Sequence, residues 1–208
     1  IIGAESYEIV KSLLDTGDIV GLYGRLMRTR SGEPTIRVEK FTFLTKALKP
    51  LPEKFHGLTD VEERYRRRYV DLIMKDKKKR VALARPRIIR CMQNYFDSLG
   101  FVEVETPILT SVVGGAAARP FMTHHNTLNK DFSLRIATEL PLKRLIVGGL
   151  ERVYEIGRLF RNEGMDTKHN PEFTTVEAYL AYGDLSDMMD LAEGLITSLA
   201  ENIIGKTD

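Results

Sequence analysis

A single cysteine, no tryptophan and almost no net charge mark this 208-residue chain. With Cys91 alone, no internal disulfide framework can form, and a reducing compartment, the cytoplasm, is expected. Cys91 sits among apolar residues of an expected helix and reads as a buried structural thiol. No apolar run approaches the ~20 residues that a bilayer-spanning helix needs, so no membrane partner is expected. The net charge of +2 comes from 31 basic and 29 acidic side chains. It offers no global argument for nucleic-acid binding, which would have to rest on local patches. Two familiar phosphate cradles are missing as well: no complete Walker-type loop occurs, since Gly205–Lys206–Thr207 has Ala200 in place of the first glycine, and no Gly-x-Gly-x-x-Gly fingerprint occurs. Ile1–Ile2–Gly3 does not look like a signal peptide or an initiation site, so the chain is expected to begin inside a longer protein. What is present is a hydrophobic share of 43%, which suits a globular fold with a real core.

Along the chain, Glu5–Leu14 suits a short helix stopped by Gly17. Ile19–Arg28 and Thr35–Leu44 read as strands around a turn containing Ser31–Gly32. The apolar alternation changes parity between Val38 and Phe41, which predicts a bulge near Glu39–Lys40. A helix and two strands cannot close a β-domain, so residues 1–47 read as the tail of one. Residues 48–60, with Pro50, Pro52 and Gly57, read as a linker. A helix follows from Thr59 or Asp60, with Glu62 and Glu63 placed for a capping box. Its run Arg64–Tyr65–Arg66–Arg67–Arg68–Tyr69 has two readings: a solvated face with two tyrosines packed below, or a contact for nucleic acid or a neighbouring domain. Lys75–Arg80 reads as solvated charge.

Pro86 is expected to start or kink the next helix, whose apolar positions Ile88, Ile89, Met92, Phe96 and Leu99 recur at helical spacing before Gly100. Short strands are expected at Phe101–Val104 and Phe132–Ile136, and helices over Leu140–Val147 and from Asp184 onward. The final helix puts Met188, Leu191, Leu195, Leu199 and Ile203 on one side. The strands look antiparallel, and residues 61–208 form an α+β arrangement.

Chemistry concentrates in Phe160–Gly164 and His169–Thr174, which read as two strands joined by a polar loop. Strand alternation places Arg161 and Glu163 on one face and Tyr154, Ile156 and Phe160 on the other. On the second strand Phe173, Glu177 and Tyr179 share a face opposite Val176, Leu180 and Tyr182. An arginine beside Glu163 is open to a plain cross-face ion pair, which is worth little. An aromatic ring and a guanidinium on one face also suit a nucleotide, the ring stacking the base and the planar fork holding a phosphate. His169 and Asn170 add donors near that phosphate. Glu139, where a strand runs into a helix, is either a helix N-terminal acid favoured by the dipole or a carboxylate for a cationic substrate. Gly114–Gly115–Ala116–Ala117–Ala118 is either a flexible turn or a place where a ligand approaches backbone closely.

These segments resemble the signatures of class II lysyl-tRNA synthetases of the bacterial type, and the resemblance runs across essentially all of the chain. Gly100 to Pro107 resembles the family's first signature. Phe160–Arg161–Asn162–Glu163 through His169–Asn170–Pro171–Glu172–Phe173–Thr174 resembles the second. Gly114–Gly115–Ala116, Arg119–Pro120–Phe121 and Arg135 to Leu140 resemble the lysine branch. The resemblance implies a class II antiparallel sheet flanked by helices, preceded by the last helix and two strands of an anticodon-binding OB-fold. It implies that Arg161 binds the α-phosphate of ATP and the lysine carboxylate and is the catalytic group. Glu163, His169 and Asn170 would position ATP, and Phe173 would stack on adenine. Gly115, Glu139, Glu177 and Tyr179 would line the lysine pocket, and Pro107 would lie in a homodimer interface. The partners implied are lysine, ATP and tRNA(Lys), with magnesium held by residues expected beyond Asp208 and no metal ligand in this chain. The third signature is absent, so these 208 residues alone are expected to be nearly inactive. Two other readings stand beside this one: a lysyl transferase with a non-tRNA acceptor, and a non-catalytic binding or dimerisation module.

Overall fold

The computed structural model describes residues 4–52, 57–166 and 168–206. It falls into two compact units, Ile1–Ala82 and Leu83–Asp208. In the first, α1 (Ala4–Leu13) precedes an antiparallel pair, β1 (Ile19–Arg28) and β2 (Pro34–Thr45). The expected bulge is present: Tyr23 faces Lys40 while Gly24 faces Val38, leaving Glu39 as the extra residue. Gly24 cannot carry a side chain there, because a Cβ would collide with the carbonyl of Arg37.

Asp18 ties this unit together. Its carboxylate accepts the backbone N–H groups of Asp15 (2.8 Å) and Ala47 (2.7 Å) and the Lys46 ammonium (2.8 Å). The Asp15 N–H first, then Lys46 and the Ala47 N–H, hold the Asp18 carboxyl down at about 2.

The capping expected near Thr59 is half realised. Asp60 caps α2 (Val61–Arg66) by accepting the Glu62 N–H at 2.9 Å. Glu63 does not return the favour; it pairs with Arg67 at 3.0 Å. Arg67 leaves helical geometry, and the chain restarts as α3 (Arg68–Met74). The two tyrosines are not packed beneath this basic run. Tyr65 is 68% and Tyr69 67% exposed, because the break at Arg67 re-aims each short helix. Residues 48–52 and 57–60 of the expected linker carry no regular helix or strand.

Helix α4 (Asp76–Ser98), most of which belongs to the second unit, runs through Pro86 rather than starting there. Proline removes one N–H from the ladder, and roughly three further turns carry the helix on. Gly100, at φ +76°, ends it with the Phe101 N–H bonded to the Phe96 carbonyl at 3.0 Å. Cys91 is half-buried, not buried: α4 leaves a gap of about 560 Å³ beside it, with Arg87, Arg90 and Ser198 on the walls.

Two three-stranded sheets follow. β3 (Val102–Glu103), β7 (Arg152–Phe160) and β8 (Glu172–Leu180) form one; β4 (Leu109–Thr110), β6 (Lys130–Leu134) and β5 (Met122–His125) form the other. They meet where the Phe160 N–H bonds to the Arg135 carbonyl at 3.0 Å. One expectation fails here. β3 lies parallel to β7, because the chain between them makes a long crossover rather than a hairpin.

Phe96 stacks on Tyr154 with ring centroids 4.5 Å apart, and Phe101 meets Phe96 edge-on at 5.5 Å. Ile156, Val176, Ala178 and Leu180 pack on this cluster from the sheet, and Leu191 and Leu195 pack on it from α6 (Leu185–Leu199). A reciprocal capping box of Asp184 and Asp187 starts α6. The other face of β7–β8 is covered in part by α5 (Glu139–Val147), whose Leu142 is fully buried. Tyr182, expected on the core face, lies past β8 in a left-handed turn and is 96% exposed.

The Asp18 cluster predicts an acid limb. A carboxyl whose folded pKa is depressed contributes stability that is present above its ordinary value of 3.8 and is lost as pH falls toward about 2. Asp18→Asn should flatten the pH dependence of unfolding between about pH 5 and 2, read by circular dichroism. An unchanged acid limb in the variant would exclude this role.

Candidate active site

Nine consecutive residue pairs, from Arg152 opposite Leu180 to Phe160 opposite Glu172, fix the register of β7 and β8. With that register, Phe173, Glu177 and Tyr179 share the face opposite the aromatic core, as strand alternation predicts. Arg161 belongs to the same side but lies just past the end of β7. Its backbone N–H still bonds to the Pro171 carbonyl at 2.8 Å, which extends the hairpin by one rung.

The Arg161 guanidinium lies 5.2 Å from the centre of the Phe173 ring. Its Nε and Nη2 donate to the Ile136 carbonyl, both at 3.4 Å. Those bonds are long for a charged donor, so the group is guided rather than locked. Arg161, Glu163, His169, Asn170 and Phe173 line one cavity of about 220 Å³, together with Gly164 and Lys168. The five residues expected at the nucleotide therefore converge. The loop above Phe173 is organised by Asp166, which sequence reasoning did not single out. Its carboxylate accepts the Lys168 and His169 N–H groups at 2.6 and 2.8 Å and meets the His169 ring at 2.7 Å. The Lys168 N–H first, and then His169, hold the Asp166 carboxyl below its ordinary value. The Asp-x-x-His spacing of a side-chain turn was the available signal.

A second cluster adjoins the first through Ile136. Glu177 accepts the Thr138 N–H at 3.3 Å and the Tyr179 hydroxyl at 3.4 Å. Glu139 stands in the first turn of α5, where the helix dipole favours an acid, and its carboxylate faces the cluster. It holds the Lys143 ammonium at 2.6 Å. That ammonium also lies 6.0 Å from the Tyr179 ring centre. Gly115 packs directly on Glu139. At φ +85° a Cβ would sit 2.9 Å from the Cβ of Glu139 and 3.0 Å from that of Ala137. The backbone at Gly115 is thus pressed against protein side chains rather than lying in open space. Burial first, then the charges of Glu177 and Glu139, pushes the Tyr179 hydroxyl up to about 12, so it remains a neutral donor.

Pro107 belongs to neither cluster. It is exposed, beside Ile108 and Leu109, and borders a separate cavity of about 450 Å³. Among the described residues no three His, Cys, Asp or Glu side chains converge as a metal site.

Residues 60–208 match the family model of class II tRNA synthetases (D, K and N), and the chain belongs to that family. Among curated proteins it is similar to the lysine–tRNA ligase of Lysinibacillus sphaericus (strain C3-41), with 58% identity over 206 residues, 99% of this chain and 41% of that protein. The lysine–tRNA ligase of Lactococcus lactis subsp. lactis (strain IL1403) is 57% identical over 99% of this chain and 41% of its own length. That of Enterococcus faecalis (strain ATCC 700802 / V583) is 57% identical over the whole chain and 41% of its own length. The chain therefore spans about two fifths of the length of these relatives.

The electrostatics of Tyr179 can be tested without any ligand. Glu177→Gln removes one of the two negative charges that raise its hydroxyl, so its pKa should move from about 12 toward the ordinary 10.0 but stay above it, because burial is the larger cause. NMR titration of the Tyr179 ring carbon reads this, and an unchanged or higher value would contradict the assigned neighbours.

Proposed function

We propose that this chain is part of an ATP-dependent lysine–tRNA ligase and carries the lysine pocket and one wall of the ATP site. The observation that carries the reading is the position of Arg161 between the Phe173 cavity and the Glu139–Glu177–Tyr179 cluster. In the first reaction the lysine carboxylate attacks the α-phosphorus of ATP, pyrophosphate leaves and lysyl-adenylate forms. Two anions must meet, and Arg161 neutralises the charge that builds at phosphorus while holding the carboxylate. Phe173 stacks on adenine, and Glu163, His169 and Asn170 position the nucleotide. Lysine brings two ammonium groups, whose lost hydration Glu139 and Glu177 offset, with Tyr179 as a neutral partner. Lys143, already seated on Glu139, supports the view that an ammonium fits there.

The second reaction passes lysine to the 3′ end of tRNA(Lys). The bulged β1–β2 hairpin and α1 are the end of the anticodon-binding OB-fold, 48–60 is the linker, and 61–208 is the first part of the catalytic domain. The names of the similar curated proteins support tRNA as the acceptor. The enzyme works as a homodimer through the exposed segment at Pro107. It works in the cytoplasm, a reading supported by the lone half-buried thiol and by the lack, among the described residues, of a helix long and apolar enough to cross a membrane.

In the full-length polypeptide, Arg161→Ala should abolish most lysine-dependent ATP–pyrophosphate exchange, a loss of about 2–4 kcal/mol of transition-state stabilisation. Near-wild-type exchange in that variant would remove Arg161 from the mechanism. Gly115→Ala should displace Glu139 and weaken lysine binding by roughly tenfold, about 1.4 kcal/mol, while leaving ATP affinity nearly unchanged. Calorimetry with each ligand separates the two effects, and an equal loss for both would count against a lysine-specific pocket at Gly115.

A further inference from the structure

Behind Arg161 lies a polar cluster that the proposed chemistry does not use. Arg135 is 5% and Glu155 3% exposed. Nη1 of Arg135 meets Oε1 of Glu155 at 2.5 Å and also donates to the carbonyl and hydroxyl of Thr106, at 2.9 and 3.0 Å. Nε donates to the Arg158 carbonyl at 2.9 Å. The other oxygen of Glu155 accepts the Thr106 N–H at 3.2 Å and the Thr106 hydroxyl at 2.6 Å. The hydroxyl is thus a junction, accepting from the arginine and donating to the carboxylate.

This cluster is tied to Arg161 by backbone on both sides. The Arg135 carbonyl holds the N–H of Phe160, the residue before Arg161, at 3.0 Å. The next carbonyl, that of Ile136, is the acceptor for the Arg161 guanidinium. Gly157 keeps the route open, because a Cβ there would collide with Nη2 of Arg135. Moving Arg135 therefore moves both the strand end that carries Arg161 and the carbonyl that orients it.

We infer that Thr106, Arg135 and Glu155 are positioning residues that hold Arg161 in place to bind the α-phosphate, with the Thr106 hydroxyl as the link that locks the pair. The inference rests on the proposed role of Arg161 at ATP. Thr106→Val keeps the shape and leaves the buried ion pair intact, so it removes the junction without stranding a charge.

The test measures ATP affinity by calorimetry in the full-length polypeptide, for wild type, Thr106→Val, Thr106→Ser, Arg161→Ala and the Thr106→Val/Arg161→Ala double variant. Thr106→Val should weaken ATP binding by about tenfold, the scale of a lost hydrogen bond to a charged group. Thr106→Ser should restore it. In the Arg161→Ala background, Thr106→Val should change affinity by less than about twofold, because the group it acts through is gone. Wild-type affinity in Thr106→Val, no rescue by serine, or an undiminished effect without Arg161 each overturns the inference. Lysine-dependent exchange by the wild-type protein is measured alongside. ATP binding without such exchange overturns the proposed lysine activity alone, and the affinity series still decides the role of Thr106.

Discussion

A guanidinium and a carboxylate shut away from water at the centre of the second unit constrain everything around them. Each would cost several kcal/mol to bury alone, and their attraction offsets that cost only when the remaining donors and acceptors are also satisfied. Arg135 and Glu155 meet this condition by recruiting Thr106, from another stretch of chain, and the Arg158 carbonyl, from the strand that carries Glu155. The end of β6, the middle of β7 and the loop before Pro107 therefore cannot shift independently. Glycine at 157 follows from the same constraint, since the arginine passes where a side chain would stand. An apolar core tolerates small slips, whereas a buried ion pair with directional bonds does not.

The β7–β8 ladder converts this fixed point into a two-sided device. On one side Tyr154, Ile156, Val176, Ala178 and Leu180 pack on Phe96 and Phe101. On the other stand Glu155, Phe173, Glu177 and Tyr179. A slip of one residue in the pairing would exchange the two faces, burying carboxylates in the aromatic core and exposing the core to ligand. Register is thus as much a part of the site as any side chain in it, and Asp166 extends the same order into the loop beyond the strands.

Much of this was legible because strand alternation is a strong signal where one face is buried. The shared face of Phe173, Glu177 and Tyr179, the bulge at Glu39 and the limits of β1 follow from parity alone. The close packing of Gly115 on Glu139 was not among the readings of the small-residue loop, because it depends on where a distant helix start lies. Other features have no local signal. β4 and β5 are two and four residues long, too short for alternation to stand out. The parallel pairing of β3 depends on where a distant strand lies, and Glu155, flanked by Tyr154 and Ile156, has the pattern of an outward-facing residue although Arg135 draws it inside. Pro86 breaks a rule of local propensity that a long helix overrides, and the exposure of Tyr65 and Tyr69 follows from a break at Arg67 that no glycine or proline announces.

The spacing along β8 separates the two ends of the candidate site. Phe173 and Glu177 lie four residues apart on one face, which at the rise of a strand is roughly 13 Å. The aromatic ring and the carboxylate are thereby held apart on one face of the hairpin. The charge distribution runs the same way. Arg161 and Lys168, with Glu163, border the cavity at the Phe173 end, while Glu177 and Glu139, the latter paired with Lys143, gather at the other. Under the proposed function, a zwitterion with a long cationic side chain would lie with its carboxylate toward Arg161 and its ammonium toward Glu177 and Glu139. The register that separates ring from carboxylate thus also separates the charges, and the buried Arg135–Glu155 pair holds the strand end from which Arg161 reaches the cavity, through the bond from the Phe160 N–H to the Arg135 carbonyl.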